Sequence, residues 1–367
     1  MTGVASSAEH PALEALRFYQ LGVGAQGRLP LYHRLLGAML DDVAAGGVCA
    51  ELLADPGPDP IDDAVPLRLL GAVHRLVLMG RAPELAAFYP SVGGAYEPEG
   101  AADPAPIFLA TIEANRDDVA AGLARSVQTN EVGRCNALLI GFLAVADTTR
   151  VPLRILEVGA SAGLNLRWDR YRYEGGAEGT AFGPVGSPVR LGGVFGESGP
   201  PLDRLAVVVE RRGCDAAPLD PGSPDDVLTL RSFIWPEQLD RLSRFDAALQ
   251  VARGVPAPVD KGDAGDWLRE QLSTDAGQPG MATVVFHSIV WQYLGAGTRG
   301  RVMAALYSAG RSATQDAPVA WLRMEPSEVG ARDTEVRLTQ WPGGNERIVA
   351  RAGYHGQRVQ ALAVGAP

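Results

Sequence analysis

The sequence predicts an α/β protein: a mostly parallel sheet with helices on both faces, preceded by an all-helical domain. Three observations carry this. Up to about residue 148 apolar residues recur at helical spacing and nothing reads as a strand. From Leu153 onward, short β-rich runs alternate with helical segments, the pattern of strands joined by crossover helices. The first of these runs ends in Gly159-Ala160-Ser161-Ala162-Gly163, a small-residue turn that lets a ligand approach the backbone.

The length of 367 residues accommodates two domains, placed at 1–148 and 149–367. In the first, Leu31-Tyr32-x-x-Leu35-Leu36-x-x-Met39-Leu40 and Leu67-x-Leu69-Leu70-x-x-Val73 each mark one buried helix face. The cluster Ala54-Asp55-Pro56-Gly57-Pro58-Asp59-Pro60 punctuates the helices. In the second, strands are expected at 153–158, 205–210, 255–259, 282–287, 319–325, 334–340 and 347–351, with helices at 236–252, 263–272 and 299–309. The last two strands are joined by Trp341-Pro342-Gly343-Gly344-Asn345, too short for a crossover helix, so they form an antiparallel hairpin on the sheet edge. The stretch 168–201, rich in Gly and Tyr, is too long for an ordinary loop and reads as a functional insertion or small hairpin over the site.

Composition excludes several classes. A net charge of −10 opposes extended contact with nucleic acid, which needs clustered Lys and Arg, so a small molecule or another protein is the expected partner. The N-terminal stretch 1–20 has neither a basic start nor an apolar core, and the longest clean apolar run, 137–146, is far short of a membrane span; a cytoplasmic protein is expected. Cys49, Cys135 and Cys214 are scattered, without a C-x-x-C pair, and no His/Cys/carboxylate group has metal-ligand spacing.

Ser161 admits two readings. Its surroundings match G-x-S-x-G, the turn that presents a hydrolase nucleophile, and His287 and His355 lie downstream with acids before them. Yet a nucleophile elbow follows several strands, whereas nothing upstream of Leu153 reads as one, and Gly93-Gly94 is preceded by Val92 rather than the His of an oxyanion loop. As a cofactor loop the segment needs fewer provisions: Gly159 turns sharply off the strand, Gly163 opens the approach to a helix start, and Ala160, Ser161 and Ala162 are small. A tight turn with no ligand is the third alternative.

Seven strands, the first carrying the glycine loop and the last two antiparallel, resemble the Rossmann-like sheet of S-adenosylmethionine-dependent methyltransferases. More specifically, the chain resembles a bacterial family labelled a domain of unknown function. The resemblance is carried by Gln128-Thr129-Asn130-Glu131-Val132-Gly133-Arg134-Cys135, by Leu156-Glu157-Val158 with the loop and Leu164-Asn165-Leu166, and by Asp169-Arg170-Tyr171-x-Tyr173. It continues through Trp235-Pro236-x-Gln238, Phe286-His287-Ser288-x-Val290-Trp291-x-Tyr293-Leu294, Trp341-Pro342-Gly343-Gly344 and His355-Gly356. It implies an S-adenosylmethionine site. Glu157 would fix the loop and the amino-acid end of the cofactor, with Gly159, Ala160, Ser161, Gly163 and Asn165 around it. Asp215, in a segment similar to G-x-D-x-x-P, would grip the ribose hydroxyls, with Glu210 as its rival. Asp263 and Ala264, in a segment similar to G-D-A, would read adenine, the alternative for Asp263 being a helix N-cap.

His287 closes the fourth strand, where such a sheet places acceptor-facing residues, and imidazole titrates near neutrality, as a general base should; the alternative is a strand-capping histidine. Ser288 and Trp291 lie beside it on the substrate side. Gln128, Asn130, Glu131 and Arg134 crowd hydrogen-bonding groups into one turn and are assigned to substrate or cofactor contact, with capping and an interdomain salt bridge as the alternative. Tyr173, like Tyr171, would stack on a substrate ring or pave a hairpin; His355 is a surface turn. No Asp/Asn-Pro-Pro-aromatic sequence follows the fourth strand, which argues against nucleic acid bases as acceptors. The expected function is methyl transfer from S-adenosylmethionine to a small molecule. A serine hydrolase using Ser161 and a non-catalytic cofactor-binding or scaffold protein are the alternatives.

Overall fold

The computed structural model describes residues 10–26, 29–57, 59–61, 63–195, 199–275, 279–328 and 331–362. Residues 1–9 of the expected helical domain, Pro58 of the punctuating cluster and residues 196–198 of the expected insertion lie outside the described residues. The chain divides into two compact units, Met1–Thr129 with Val227–Leu242, and Asn130–Asp226 with Ser243–Pro367.

The first unit holds α1 (Ala12–Gln26), α2 (Pro30–Ala45), α3 (Val48–Leu52), α4 (Val65–Leu78), α5 (Pro83–Ala86), α6 (Pro104–Ala114) and α7 (Arg116–Leu123). The periodic residues are those that pack inward: Leu31, Tyr32, Leu35, Leu36 and Met39 of α2, and Leu69, Leu70 and Val73 of α4. The returning stretch Val227–Leu242 supplies what helix ends require. Glu237 accepts from the amides of Leu31 (2.8 Å) and Tyr32 (3.3 Å) in the first turn of α2, which have no partner within the helix. His74 of α4 is buried between the Ser232 carbonyl (3.0 Å from Nδ1) and Ser91 Oγ (2.8 Å from Nε2).

The second unit opens with α8 (Cys135–Thr149), which precedes the sheet and packs on it, so the helical residues 130–148 belong with the strands rather than with the helices before them. The strands are β1 (Leu153–Val158), β2 (Arg172–Glu174), β3 (Arg190–Gly192), β4 (Val208–Asp215), β5 (Val259–Lys261), β6 (Ala282–Ser288), β7 (Val319–Pro326), β8 (Thr334–Trp341), β9 (Asn345–Ala352) and β10 (Gln360–Ala361). Among the described residues, eight of them form one sheet in the order β10-β9-β8-β7-β6-β1-β4-β5. The sheet is parallel from β5 to β7 and antiparallel from β7 to β10.

This corrects the expected count of seven. The eighth strand, β10, is two residues long and carries no periodic signal, and it displaces the β8–β9 hairpin from the edge. The strand expected at 205–210 is instead 208–215, because its charged residues are paired: Glu210 with Arg154 (3.0 Å), Arg211 with Asp169 (2.6 Å) and Arg212 with Asp260 (2.6 Å). Within 168–201 the described strands β2 and β3 pair in parallel, not as a hairpin.

Helices α9 (Pro224–Ser232), α10 (Leu239–Gly254), α11 (Ala264–Asp275) and α12 (Ala296–Ser312) complete the chain. One face of the sheet packs Leu156, Val158, Val285 and Trp321 against α11 and α12. On the other, Phe142 of α8 meets Phe286 edge-on (5.1 Å) and stacks on Trp168 (4.3 Å, 2°), which stacks in turn on Phe182 (5.6 Å).

Candidate functional site

β1 has β4 on one side and β6 on the other, so the chain reverses its direction of winding between β1 and β6. In open α/β sheets the crevice beyond the carboxyl ends of the strands at such a point is where ligands bind. The glycine loop leaves β1 at this place. Gly159, Ser161 and Gly163 all have positive φ (70°, 53° and 67°), a conformation free for glycine and unfavourable for serine. Ser161 is held there from both sides: its N–H donates to Asp215 Oδ2 (2.9 Å) and its carbonyl accepts from the Leu219 N–H (3.2 Å). Asp215 Oδ1 accepts from the Ala217 N–H (2.9 Å), so this carboxylate, at the end of β4, ties the loop to its neighbour. A Cβ at Gly159 would lie 2.4 Å from Val290 Cγ2; the close approach at Gly159 is made by the turn that leaves β6. That turn is itself strained, with the β-branched Ile289 at φ 51°.

Beneath the loop, Glu157 is buried and its Oε2 has no hydrogen-bond partner among the described residues. Burial pushes its carboxyl well above the usual carboxylate range and the charge of Asp215 adds to this, while Arg134, Arg167 and a hydrogen bond from Asn165 pull it back. Asn165 Oδ1 in turn accepts from the Cys135 thiol (3.3 Å). All three cysteines are free and buried.

The segment 130–136 laces this region together. Asn130 Oδ1 accepts from the Leu164 N–H (2.7 Å), Arg134 donates to the carbonyls of Ser288 (3.0 Å) and Tyr354 (3.2 Å), and Asn136 donates to that of Gly356 (3.3 Å). Gly133 and Gly356 pack backbone to backbone, since a Cβ at Gly356 would lie 1.9 Å from the Gly133 carbonyl oxygen. Asn130, Arg134 and Ser288 are thus brought to the loop and to the end of β6. Gln128, half-buried, falls in the first unit.

His287, at the end of β6, is fully buried. Its Nδ1 lies 2.7 Å from Glu325 Oε1 on β7, and its ring stacks on that of Trp291 (5.2 Å, 13°). Glu325 Oε1 also accepts from the amides of Val290 (3.1 Å) and Trp291 (3.4 Å), which fixes the carboxylate. With Nδ1–H donated to Glu325, the lone pair sits on Nε2, which has no partner among the described residues. A histidine oriented by a carboxylate, with its second nitrogen unengaged, is equipped to take a proton. Sequence reasoning missed Glu325: it is one more polar residue at a strand end, 38 positions from its partner.

Other expected residues have different surroundings. Asp263 caps α11, its Oδ1 accepting from Gly265 (2.9 Å) and Asp266 (3.1 Å), while Oδ2 takes Thr298 Oγ1 (2.6 Å) and Arg301 (2.9 Å). All four lone-pair sites of the carboxylate are engaged, and its pKa is lowered to about 2, first by the Thr298 hydrogen bond. Ala264 is buried beside it at the start of α11. Tyr171 and Tyr173 are buried, their hydroxyls donating to the carbonyls of Leu164 (2.5 Å) and Trp168 (3.0 Å), so they line the interior. After the glycine loop comes a six-residue 3₁₀ segment, Asn165–Arg170, in place of an α-helix. Among the described residues no group of acids, histidines and cysteines is arranged to hold a metal ion, and no helix is long and apolar enough to cross a membrane.

The family described as "Uncharacterized protein conserved in bacteria (DUF2332)" matches residues 16–361, and the chain belongs to it. No curated protein and no solved structure matches significantly.

Proposed function

We propose, with membership of this bacterial family as the premise, that the protein is an S-adenosylmethionine-dependent enzyme that methylates a small molecule at the carboxyl edge of β1 and β6. The observation that carries the reading is the His287–Glu325 pair: a buried imidazole, oriented through Nδ1 at 2.7 Å and unpartnered at Nε2, at the switch point of the sheet.

The residues around the loop fit the cofactor in part. The buried Oε2 of Glu157 has no donor among the described residues, and the ammonium of the cofactor's amino-acid end would supply one. Asp215 spends one bond on each oxygen and keeps lone pairs for ribose hydroxyls. The carboxylate of Asp263 is saturated, so a contact to adenine falls to the backbone at Ala264. When bound, the cofactor supplies an electrophilic methyl on a sulfonium, and the bonding pair leaves with sulfur.

The chain's own task is to align the acceptor and take its proton. The acceptor's O–H or N–H gives that proton to His287 Nε2, while Nδ1–H stays on Glu325, whose charge stabilises the imidazolium. Trp291 covers one face of the imidazole and shields it from water. Ser161 is a spacer on this reading, with its N–H and carbonyl spent on the loop. The nucleophile reading loses support from the same region: β1 is the first strand among the described residues, and a 3₁₀ segment follows the loop where an elbow leads into an α-helix.

The test is incubation of the full chain with methyl-labelled S-adenosylmethionine and a metabolite extract. Label should appear in a small molecule and should fall about 10²-fold or more in His287→Ala. Absence of transfer, or transfer unchanged in that variant, overturns the proposal.

A further inference from the structure

The face of β7 that carries Glu325 holds more than the partner of His287. Trp321, Arg323 and Glu325 alternate along the strand and so share one face, and Arg323 is the direct neighbour of His287 on β6. Four buried polar atoms in this row have no partner among the described residues: Trp321 Nε1, Arg323 Nη1, His287 Nε2 and Glu325 Oε2. Buried polar atoms are nearly always paired. Four unpaired ones on two adjacent strands mark a place where a ligand supplies missing partners, and the three outside the Glu325 carboxylate, whose other oxygen already takes three bonds, define what it must offer.

Their chemistry selects the ligand. Trp321 Nε1–H and the Arg323 guanidinium are donors only, and the guanidinium lies 3.9 Å from the centre of the Trp321 ring, which fixes the two donors relative to each other. Arg323 also pairs with Glu346, but Glu346 is shared with Arg337 (2.7 Å), so the charge of Arg323 is only partly spent. Two fixed donors, one of them cationic, suit a carboxylate. Beside them His287 Nε2 accepts, which calls for a hydroxyl. The Trp291 ring, half-buried and parallel to the imidazole, offers a flat apolar wall.

We propose that the acceptor is a small hydroxy acid with a flat apolar body: its carboxylate held by Trp321 and Arg323, its hydroxyl on His287. The proposal rests on the methyl-transfer reading in taking His287 as the base. An acid without a hydroxyl leaves Nε2 unanswered, and a cation faces two donors.

The three hydroxybenzoate isomers serve as probes in calorimetric titrations of the full chain, with benzoate and 4-hydroxybenzyl alcohol as controls lacking the hydroxyl and the carboxylate. At least one isomer should bind saturably at one site and about tenfold more tightly than either control, since a site built to hydrogen-bond a group rejects the analogue without it. Trp321→Phe, which keeps the ring and removes only the N–H, and Arg323→Gln should each weaken that isomer about fivefold or more. Binding by none of the isomers, equal binding of a control, or unchanged affinity in both variants overturns the proposal. Titration with S-adenosylhomocysteine separates the two readings: hydroxybenzoate binding without it leaves the acid receptor and removes the cofactor, and the reverse removes the receptor alone.

Discussion

Replacing Asp215 with Ala should destabilise the protein even with no ligand present, because this carboxylate is first of all a fastening of the glycine loop. It accepts two main-chain hydrogen bonds, from Ser161 and Ala217, each at 2.9 Å. Bonds to a charged acceptor contribute roughly 1.5–3 kcal/mol each, and Asp215 is half-exposed, so the lower end applies and the two together give about 3 kcal/mol. One of them holds Ser161 at φ 53°, a conformation that costs a non-glycine residue about 1–2 kcal/mol when nothing compensates. Asp215→Asn keeps one acceptor and loses the charge, for a loss of about 1–2 kcal/mol. Urea unfolding followed by tryptophan fluorescence gives the stabilities, and amide exchange across 159–163 reports whether the loop opens. If Asp215→Ala unfolds within about 0.5 kcal/mol of the parent with loop exchange unchanged, the fastening role is wrong and the carboxylate acts only on a ligand.

Three further outcomes follow from the same geometry. Once turnover is measurable, Glu325→Gln should lower it about 10²-fold by leaving His287 without its orienting carboxylate; turnover within about threefold of the parent would refute that role. Ser161→Ala should stay within about tenfold of the parent, equivalent to about 1.4 kcal/mol, and Ser161→Gly should raise stability by about 1 kcal/mol through relief of its positive φ; an inactive but folded Ser161→Ala would restore the nucleophile reading. In the first unit, burial lowers the pKa of His74 from 6.5 to about 4. Between those values the unfolded chain binds the extra proton, so stability is fully present above about pH 6.5 and is lost as pH falls toward 4, by up to about 3 kcal/mol. Unfolding curves at pH 7 and pH 5 should show this slope flattened in His74→Gln, and an equal slope in both proteins would refute it.

Much of the architecture was legible because apolar periodicity is local. The runs that became β1, β6, β7, β8 and β9 are bounded by turn residues and lie within a few positions of the strands observed. β4 was displaced because four of its residues are charged, and only the structure shows that Arg154, Asp169 and Asp260 pair with Glu210, Arg211 and Arg212. Periodicity also says that 135–149 is a helix without saying what it covers; Phe142, packed on Phe286, places α8 on the sheet. In the site, Gly159 and Gly163 could be found because a turn of that shape needs glycine at positive φ, whereas what holds Ser161 there, its bonds to Asp215 and Leu219, has no local sequence signal. Asp263 could not be resolved, since the same Asp satisfies a helix cap and a ligand, and its bonds to Gly265 and Asp266 are those of the cap. Glu325 was invisible because its importance lies in a distance of 2.7 Å to a residue on another strand.

Isothermal titration of the full chain with S-adenosylhomocysteine tests the central claim most directly, because it asks for the cofactor site without requiring the acceptor to be known. The account predicts saturable binding at one site, weakened by Asp215→Ala and left within about tenfold of the parent by Ser161→Ala, the range expected for loss of one neutral hydrogen bond. A folded parent that gives no binding up to about 1 mM, weaker than any affinity of about −4 kcal/mol, would contradict it.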